Sequence, residues 1–340
     1  MKTAIVILNW NGRKLLEQFL PGVILHSAHL ATIIVADNAS SDDSINYIRN
    51  KHPTVKIISN PTNEGFAKGY NTALQKVDAE YFLLLNSDVE VTEGWLDPLL
   101  NYLDTHPQTA VCQPKLRWYH HPMQFEYAGA CGGYIDKLGY PFCRGRIFSE
   151  IETDLGQYEE PVQVFWASGA CQLVRSSVFK AAGGFDETFF AHMEEIDLCW
   201  RIRNMGHEIV CLPSSVVYHM GGATLPKNNS RKTYLNFRNN LSMLYKNLPA
   251  SRLFPVIMLR LLLDGVAGVK FLLEGGPGDC FAVMRAHLHF YLRVLTGKLK
   301  RPDKYEGKIH ATIYKGSIVW DRYILKKKKF IDLQFNPGKI

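Results

Sequence analysis

The chain has 340 residues, 46% of them hydrophobic and 21% charged, which is enough for a substantial core and one or two domains. Its net charge of +7 is uneven, because residues 298–340 carry 12 Lys and Arg against 4 Asp and Glu, whereas the rest of the chain carries 27 against 28. A neutral body with a basic end argues against a nucleic-acid-binding domain and leaves either a solvated tail or a contact with anionic lipid.

The cysteines do not form a recognisable framework. There are seven, at positions 112, 131, 143, 171, 199, 211 and 280, and none shows paired CxxC spacing. Their odd number and the lack of a leader-like N-terminal segment predict reduced thiols in a cytosolic compartment and no zinc site.

The first third of the chain alternates apolar runs with amphipathic segments. Strands are predicted at residues 3–10, 31–38, 54–60 and 80–88, with a helix between each pair. Continuous apolar strands separated by helices are typical of a parallel sheet covered on both faces. We therefore expect an α/β fold with a mostly parallel central sheet flanked by helices.

All four predicted strands end in polar residues. Asn9, Asp37 and Asn60 follow the first three strands, and a triplet from Asn86 to Asp88 follows the fourth. These residue types are also common in surface turns. Four polar ends together favour a ligand site, because ligands of such sheets bind at the carboxyl ends of the strands. Neither GxGxxG after the first strand nor GxxxxGK[ST] is present, which disfavours dinucleotide and P-loop sites.

The middle of the chain contains one long irregular segment. Residues 119–161 are rich in Gly, Tyr and Pro, which predicts either a mobile substrate loop or an irregular excursion. Strand signal returns at residues 162–174, and a helix containing three acids ends near Gly206. The chain after residue 230 is predicted to be mainly helical.

Residues 253–276 approach the length of a transmembrane helix. Three charged residues, Arg260, Asp264 and Lys270, lie in the interior of this stretch. Each central charge costs roughly 2.5–3.5 kcal/mol on insertion scales, whereas each Leu, Ile or Val returns only about 0.3–0.6 kcal/mol. Spanning is therefore disfavoured. The remaining alternatives are an interfacial helix, anchored by Trp320 and the lysines at 326–329, or a helix buried against the first domain.

Seven motifs, taken in order, resemble inverting glycosyltransferases of family 2, which have the GT-A fold. They are VILNWNG, VADNASSDDS, NEGFAKGYN, LLLNSDVEV, WASGACQLVRSSVF, GGFDETFFAHMEEIDLCWR and VYHMGGAT. The resemblance implies a GT-A nucleotide-diphospho-sugar transferase domain over residues 1–225, followed by a helical, basic C-terminal region over residues 226–340. Within the family, the chain looks most like bacterial rhamnosyltransferase-like enzymes of surface polysaccharide and cell-envelope glycan synthesis.

This resemblance implies a donor-nucleotide site at the strand ends. Asp37 would accept a hydrogen bond from the base ring N–H, although it could also cap the next helix. Asn63, Gly65 and Lys68 lie where a loop enters a helix, and Asn9 belongs to the same set. Gly65 would permit close backbone approach, and Lys68 would meet a phosphate or the base unless it is simply solvated.

The triplet Asn86-Ser87-Asp88 resembles the family's DxD element, with Asn86 in place of the first acid. The family implies a divalent cation, Mg²⁺ or Mn²⁺, that bridges a carboxylate and the donor diphosphate. Asp88 is the expected ligand, and Asn86 and Ser87 are expected to contact the donor. His219 matches a family position that supplies a second ligand, although a lone histidine is more often a structural hydrogen-bonding group.

The family's acidic pair aligns with Glu194 and Glu195. In an inverting transfer, one carboxylate deprotonates the acceptor hydroxyl. Glu195 is the expected base, with Glu194 or Asp197 as alternatives, and the helix dipole is expected to favour its ionised form. Enrichment of acids at a helix N-terminus would by itself explain all three carboxylates.

Four residues are expected to line the donor sugar or the acceptor: Trp166, Ser168, Gly169 and Ala170. Trp166 would offer an apolar face to a sugar ring, although a strand tryptophan is as often part of the core. Gly169 would let substrate approach the strand. Arg231 and Lys232 are candidates for covering the diphosphate, or else form a solvated helix start.

These expectations describe a metal-dependent glycosyltransferase that moves a sugar from a nucleotide-diphosphate donor to a hydroxyl of a glycan or lipid-linked acceptor. It is expected in the cytoplasm at the inner face of the cytoplasmic membrane, with an anionic membrane surface as a further partner and no nucleic acid. Two alternatives are a sugar nucleotidylyltransferase, although NWNGRKLL lacks its Gly-rich basic loop, and a non-catalytic carbohydrate-binding relative, although the acidic pair is present.

Overall fold

A computed structural model of the protein describes residues 1–221, 229–301 and 310–338. The strands are β1 (Thr3–Asn9), β2 (Thr32–Asp37), β3 (Lys56–Ser59), β4 (Tyr81–Asn86), β5 (Val89–Val91), β6 (Thr109–Trp118), β7 (His121–Phe125), β8 (Gly133–Asp136), β9 (Pro141–Cys143), β10 (Arg146–Ile147), β11 (Glu150–Ile151), β12 (Val162–Gln163), β13 (Cys171–Arg175), β14 (Glu208–His219) and β15 (Ile313–Tyr314). The helices are α1 (Arg13–Ser27), α2 (Ser44–Lys51), α3 (Gly65–Leu74), α4 (Leu96–Thr105), α5 (Ser176–Ala181), α6 (Glu194–Asn204), α7 (Ser230–Asn247), α8 (Ala250–Leu273), α9 (Pro277–Leu295) and α10 (Ile318–Tyr323), with 3₁₀ turns at Glu187–Phe189 and Phe330–Leu333.

Within these ranges, a ten-stranded sheet forms the centre of the molecule, in the order β12-β14-β6-β13-β4-β1-β2-β3, with β5 on β14 and β7 on β6. The first four strands pair in parallel, as their alternation with helices predicts. Strand β13 then enters antiparallel between β4 and β6. The α/β class is confirmed, and the sheet as a whole is mixed, with its parallel part at β3-β2-β1-β4.

Two apolar layers cover this sheet, because successive side chains of a strand point to opposite faces. Strand β1 sends Ala4 and Val6 into the layer with α3, and Ile5 and Ile7 into the layer with α1, α2 and α4. Burying a Val or Ile side chain contributes about 1.5–3 kcal/mol. Because both faces of these strands are buried, their sequences are continuous runs of apolar residues.

The irregular segment at residues 119–161 is folded. It supplies β7 to the main sheet, and β8 to β11 to a second sheet of order β11-β10-β9-β8-β15. Strand β15 comes from the C-terminal region and pairs in parallel with β8, with Ile313 opposite Ile135. Phe330 is buried in the same core. The expectations of an irregular excursion and a solvated tail are therefore wrong for the described residues.

The helical C-terminal region packs directly on the sheet. Its α7 contributes Met243 and Leu244, and α8 contributes Val256, to the core layer that contains α3. Helix α9 packs against both α7 and α8. The expected domain boundary at residues 225 and 226 lies outside the described residues.

Helix α8 buries charge and exposes apolar side chains. Arg260 and Asp264 are buried, with Arg260 Nε 3.1 Å from Asp264 Oδ1. None of the helices in the described ranges combines the length and the apolar composition that crossing a bilayer requires.

Candidate active site

The parallel register brings the polar strand ends together at one edge of the sheet. Asn9 lies opposite Asp37, and Leu8 lies opposite Asn86. The buried Asn9 donates through Nδ2 to Asp37 Oδ1 and to Ser40 Oγ, each at 3.1 Å. The predicted residues of the first, second and fourth strand ends are therefore neighbours.

Asp37 also holds the loop that precedes α2. Its Oδ2 accepts a hydrogen bond from the Ser40 backbone N–H at 3.1 Å. Ser40 precedes α2, whose N-cap residue is Asp43, so the alternative that Asp37 caps this helix is wrong. Asn9 differs, because its Oδ1 is buried without a hydrogen-bond partner in the described residues. A Cβ added at Gly12 would stand 2.4 Å from that oxygen, so a side chain at position 12 would clash with it.

The loop before α3 is fixed by asparagines. Asn63 Oδ1 accepts from Asn38 Nδ2 at 2.9 Å and from the Gly65 N–H at 3.0 Å. Gly65 has a φ of +86°, and a Cβ there would lie 2.6 Å from the Phe190 carbonyl oxygen. The close approach that requires this glycine is therefore to the segment before α6. The expected phosphate or base contact, Lys68, forms an ion pair with Glu64 one turn earlier.

Asp88 and His219 meet because β5 pairs with β14. That antiparallel register places His219 opposite Val89, the residue after Asp88. His219 Nε2 lies 3.1 Å from Asp88 Oδ1, and both side chains are buried. The two predicted metal ligands are therefore neighbours, while Asn86 and Ser87 are partly exposed at the tip of β4.

A third buried group, Glu126, lies on the other side of the imidazole. Its Oε1 is 3.2 Å from His219 Nδ1. Burial lowers the pKa of His219, but the carboxylates of Glu126 and Asp88 outweigh burial and raise that pKa to about 10. Burial, the largest single effect, raises the pKa of Asp88, but the charge and hydrogen bond of His219 together with backbone hydrogen bonds lower that pKa below its usual value. Sequence analysis missed Glu126 because it lies in the irregular segment, outside every motif.

The Asp88–His219 pair fits a cation shared with a substrate. Among the described residues, no group of three or more His, Cys, Asp or Glu side chains is arranged to hold a metal ion. Metal ligation needs the neutral imidazole, so His219 must release the proton that Glu126 and Asp88 stabilise. A carboxylate and a neutral imidazole then form a donor set that Mn²⁺ accepts, and phosphate oxygens and water commonly complete Mg²⁺ or Mn²⁺ sites. The residues therefore suit a metal site that is complete only with a diphosphate present.

The acidic pair begins α6 after a strained turn. Phe190, His192 and Met193 have φ values of 67°, 70° and 73°, in the left-handed region. Such residues cost about 1–3 kcal/mol each and persist only where surrounding contacts hold them. Asn239 of α7 supplies those contacts, since its Nδ2 donates to three carbonyl oxygens at 2.8–3.0 Å, those of Phe189, Ala191 and His192.

Burial controls the protonation of both glutamates. It raises the pKa of Glu195 to about 7, and together with repulsion from Glu195 it raises the pKa of Glu194 well above its usual range. The Oε2 atom of each glutamate is buried and has no hydrogen-bond partner among the described residues. The expectation that the helix dipole keeps Glu195 ionised is therefore wrong, because burial outweighs the dipole.

Asp197 is excluded as an alternative base by its contacts. Arg201 Nε donates to its Oδ2 at 2.8 Å, and Asn247 Nδ2 donates to its Oδ1 at 2.6 Å. This fully buried carboxylate anchors α6 to α7. Glu194 and Glu195 remain the two acids of α6 without such partners.

A short segment before β13 connects the strand tip to the acidic pair. The Asn86 N–H donates to the Ala170 carbonyl oxygen at 2.9 Å. A Cβ added at Gly169 would lie 3.8 Å from Glu195 Cβ and 3.4 Å from Phe66. The structure therefore places Gly169 and Ala170 between the DxD-like tip and the expected base.

Two of the expected sugar contacts are structural instead. Trp166 is 3% exposed, its Nε1 donates to the Tyr134 carbonyl oxygen at 3.0 Å, and its ring lies on Gly133. Ser168 is buried, and its Oγ donates to the Ala128 carbonyl oxygen at 2.9 Å. The predictions of sugar contact for Trp166 and Ser168 are wrong, because both side chains are committed to the core.

The region beyond His219 is only partly described. Residues 222–224, the end of the VYHMGGAT motif, lie outside the described residues. Arg231 is exposed at the start of α7, with its guanidinium 5.4 Å from the ring centre of Phe190. The charge of Lys232, after the larger effect of burial, helps to lower the pKa of His192 to about 4. Both basic side chains therefore lie near the turn before the acidic pair.

Comparison with known proteins identifies the family. The family model for glycosyl transferase family 2 matches residues 4–183. An N-acetylglucosaminyl-diphospho-decaprenol L-rhamnosyltransferase of Mycobacterium tuberculosis is 28% identical over 220 residues, which cover 60% of this chain and 71% of that protein.

Solved structures share the fold. GalNAc-T7, solved with UDP, GalNAc and Mn²⁺, aligns with a TM-score of 0.56 at 17% identity over 72% of this chain and 48% of that one. The mannosyltransferase PcManGT of Pyrobaculum calidifontis, solved with GDP-Man and Mn²⁺, aligns with a TM-score of 0.52 at 14% identity over 87% and 79% of the two chains. The GT-A fold implied by the motifs is therefore confirmed.

Proposed function

The chain belongs to glycosyl transferase family 2 and is a glycosyltransferase of glycan synthesis, and from that premise we propose that it transfers a sugar from a nucleotide diphosphate to a lipid-linked acceptor with inversion. The observation that carries the proposal is the short path from Asp88 and His219, through Gly169 and Ala170, to the partnerless Glu195. Neither the nucleotidylyltransferase nor the non-catalytic alternative is supported by the family match.

The donor side of the proposed site is the row of strand ends. Asn9 and Asp37 are placed to hold the nucleotide, and Asn86 and Ser87 face the diphosphate at the tip of β4. Asp88 and His219 would hold a divalent cation there, which when bound offsets the negative charge of the departing diphosphate. Glu126 holds the His219 ring from its other nitrogen, and such outer carboxylates orient metal-binding histidines.

The acceptor side is the start of α6. A base with a pKa near 7 is suited to general-base catalysis at neutral pH, and that is the pKa of Glu195. Glu195 takes the proton of the acceptor hydroxyl while its oxygen bonds to the anomeric carbon. The bond from that carbon to the diphosphate breaks on the opposite face, so the configuration inverts. Glu194 stays protonated, which keeps a second negative charge away from the base.

The identities of donor and acceptor come from likeness to relatives. The Mycobacterium tuberculosis relative is named for transfer of L-rhamnose to N-acetylglucosaminyl-diphospho-decaprenol. We therefore propose L-rhamnose or another hexose as the transferred sugar, and a diphosphate-linked lipid as the carrier of the acceptor.

The outer face of α8 supports a lipid-linked acceptor. Every exposed residue from Phe254 to Val269 is apolar or glycine, whereas the charged residues between them, Arg260 and Asp264, point inward. The exposed set is Phe254, Pro255, Met258, Leu259, Leu261, Leu262, Gly265, Val266 and Val269. A helix in water shows the opposite arrangement. A contiguous apolar surface of this kind marks a contact with protein or membrane.

Helix α9 continues this surface. A three-residue turn joins it to α8, and it carries its own exposed stripe at spacings of three and four residues: Phe281, Met284, Leu288, Leu292 and Leu295. We call the exposed apolar residues of α8 and α9 the apolar face. It is suited to lie at the surface of a bilayer, with its side chains among the acyl chains.

The C-terminal segment places aromatic and basic groups beside α8. Tyr140 donates to Asp264 Oδ1 at 2.7 Å, and its ring contacts Phe148, which contacts Tyr323 of α10. The exposed residues of this segment include Trp320, Ile324, Leu325, Lys326, Lys328 and Lys329. Trp and Lys favour the headgroup region of anionic membranes. We therefore propose that the enzyme acts at the cytoplasmic face of the membrane.

A donor panel tests the proposed reaction. Purified protein is incubated with Mn²⁺, a set of nucleotide-diphosphate sugars that includes L-rhamnose, and a polyprenyl-diphospho-N-acetylglucosamine acceptor, and release of nucleoside diphosphate is measured. We expect release that needs both donor and acceptor. Pyrophosphate formed from a nucleoside triphosphate and a sugar phosphate would instead identify a nucleotidylyltransferase. Donor binding without turnover with any acceptor would identify a non-catalytic protein.

A further inference from the structure

A cavity of about 430 Å³ opens between α7 and α9, away from the strand ends. Its lining residues are Tyr234, Arg238, His289, Leu292, Arg293, Thr296 and Lys298. Three of these always carry a positive charge at neutral pH and a fourth is a histidine. We call this the basic cavity.

The arginines of the basic cavity lack anionic partners in the described part of the chain. Arg293 Nη1 is buried and has no hydrogen-bond acceptor there. Arg238 donates to neutral oxygens, including Asn239 Oδ1 at 2.7 Å and the Phe189 carbonyl at 3.1 Å. The nearby acid, Asp186, is already paired with Lys246. A buried guanidinium N–H without an acceptor, beside a second guanidinium, calls for an anion from outside the protein.

The basic cavity also borders the apolar face. Leu292 lines the cavity and belongs to the exposed apolar stripe of α9. Arg285, His289 and Arg293 follow each other at four-residue spacing, so they form a basic row along α9 beside that stripe. A ligand that fits both features has an anionic group joined to an apolar chain.

The cavity is connected to the turn that precedes the acidic pair. Arg238 lines it and donates to the Phe189 carbonyl, and the adjacent Asn239 holds the strained turn that leads into Glu194. An anion in the cavity would therefore lie on the acceptor side of the enzyme, next to the segment that positions the base.

We propose that the basic cavity binds the diphosphate of the lipid-linked acceptor, with the lipid chain running along the apolar face. This assignment rests on the proposed function, and it adds the site that would hold the acceptor's phosphates. Phosphate groups suit the cavity because arginine forms paired, charge-assisted hydrogen bonds with phosphate oxygens.

The test measures binding of geranyl diphosphate, a soluble prenyl diphosphate, by calorimetry in EDTA. The variants are Lys298→Gln, which changes an exposed side chain, and Arg293→Gln with Lys298→Gln. The matched control is Arg49→Gln, an exposed arginine of α2. We expect the double variant to bind roughly tenfold or more weakly, the size of a lost charged hydrogen bond, with a smaller loss in K298Q and none in R49Q. Added nucleoside diphosphate should not compete.

Three results would overturn the assignment. Equal binding by wild type and the double variant would remove the cavity from the site. Inorganic pyrophosphate binding as tightly as geranyl diphosphate would indicate a free-phosphate site. A double variant that loses binding only to phosphatidylglycerol vesicles would indicate a phospholipid headgroup site.

A kinetic measurement distinguishes failure of this assignment from failure of the proposed function. In the transfer assay, the double variant should raise the KM for the acceptor about tenfold or more, with the KM for the donor and kcat unchanged. Absence of transfer by the wild type would contradict the proposed function. The binding of geranyl diphosphate would still test whether the basic cavity holds a prenyl diphosphate.

Discussion

The start of α6 and the middle of α8 both bury carboxylates, but the two differ in whether the carboxylate has charged and hydrogen-bonding partners. Asp264 accepts from Tyr140 at 2.7 Å and lies 3.0–3.1 Å from His287 and Arg260. Burial, the largest single effect, raises the pKa of Asp264, but Arg260, His287 and Tyr140 together lower that pKa below its usual value. Within the described residues, Glu195 Oε2 has no hydrogen-bond partner, and burial raises the pKa of Glu195 to about 7. The first carboxylate is fixed in one charge state, and the second can exchange a proton near neutral pH.

The same two regions differ in what they present outward. Around the sheet, apolar residues are inside and polar residues gather at the strand ends. On α8, the charged pair is inside and Leu262, 66% exposed, is outside. A buried ion pair contributes little net stability, because desolvation offsets the attraction. Its place in α8 is explained if the outer surface is reserved for an apolar phase. In the proposed function, the apolar face meets lipid while the rest of the surface meets water.

The largest expected effect comes from removing the partnerless acid. Glu195→Gln should lower kcat by about 10²–10⁴-fold, the usual value of general-base catalysis. Thermal stability should hold or rise, because the substitution removes a buried group that has no partner to lose. The measurements are steady-state kinetics and thermal melting. Glu194→Gln is the matched control and should cost less, since burial and repulsion from Glu195 raise the pKa of Glu194 and favour its neutral form. Wild-type kcat in E195Q would contradict the assignment.

Removing Asp264, the carboxylate that has partners, should lower stability and leave kcat unchanged. Asp264→Ala leaves Arg260 buried without its counter-charge, which should lower the free energy of unfolding by about 3–5 kcal/mol. The folded fraction should keep its kcat, because the site is not touched. Urea unfolding measures the change. Glu274→Ala, which breaks the exposed pair with Lys270, should cost at most about 0.5 kcal/mol. Similar losses of unfolding free energy in D264A and E274A would show that the buried pair matters no more to stability than the exposed one.

Substitution of Glu126 tests whether this carboxylate orients a metal ligand or only stabilises the fold. Glu126→Gln should weaken Mn²⁺ binding, measured by electron paramagnetic resonance with nucleoside diphosphate present, by about 10–100-fold. The reason is that His219 loses the carboxylate that holds its Nδ1. Glu90→Gln, an exposed neighbour of Asp88 on β5, is the control. Unchanged Mn²⁺ affinity in E126Q would show that Glu126 serves only the fold.

The smallest expected effect concerns the apolar face. Leu262→Gln with Val266→Gln should reduce co-sedimentation with anionic vesicles roughly tenfold, because two apolar side chains no longer enter the bilayer. Stability in water should change little, since both are exposed. Leu25→Gln, an exposed leucine of α1, should have no effect. Vesicle binding that is unchanged, together with loss of a dimer in size-exclusion chromatography, would assign the face to a second copy of the chain.

Much of the fold follows from local pattern. The alternation of apolar strands and helices predicts β1 to β4 and their parallel order, and the polar ends predict the site edge. The second sheet could not be predicted, because its two- to four-residue strands between residues 133 and 151 give no periodic signal. Its pairing with β15 also joins segments far apart in the sequence.

The site was predictable where a motif marked it and not elsewhere. Asp88 and His219 meet through a register that no local sequence reports, and the resemblance alone supplied His219. Glu126 has no motif, so its contact with His219 required tertiary structure. Trp166 was ambiguous because a strand residue can face either the core or a ligand. The pKa of Glu195 depends on burial, which outweighs the helix dipole that sequence could suggest.

The stereochemistry of the product tests the central claim most directly. In the proposed mechanism, a single displacement takes place at the anomeric carbon, with Glu195 as the base and the diphosphate leaving from the opposite face. Transfer from a donor of defined anomeric configuration, followed by NMR of the new glycosidic linkage, should show the inverted configuration in wild type and no linkage above background in E195Q. Retention of configuration, or normal product formation by E195Q, would contradict the account.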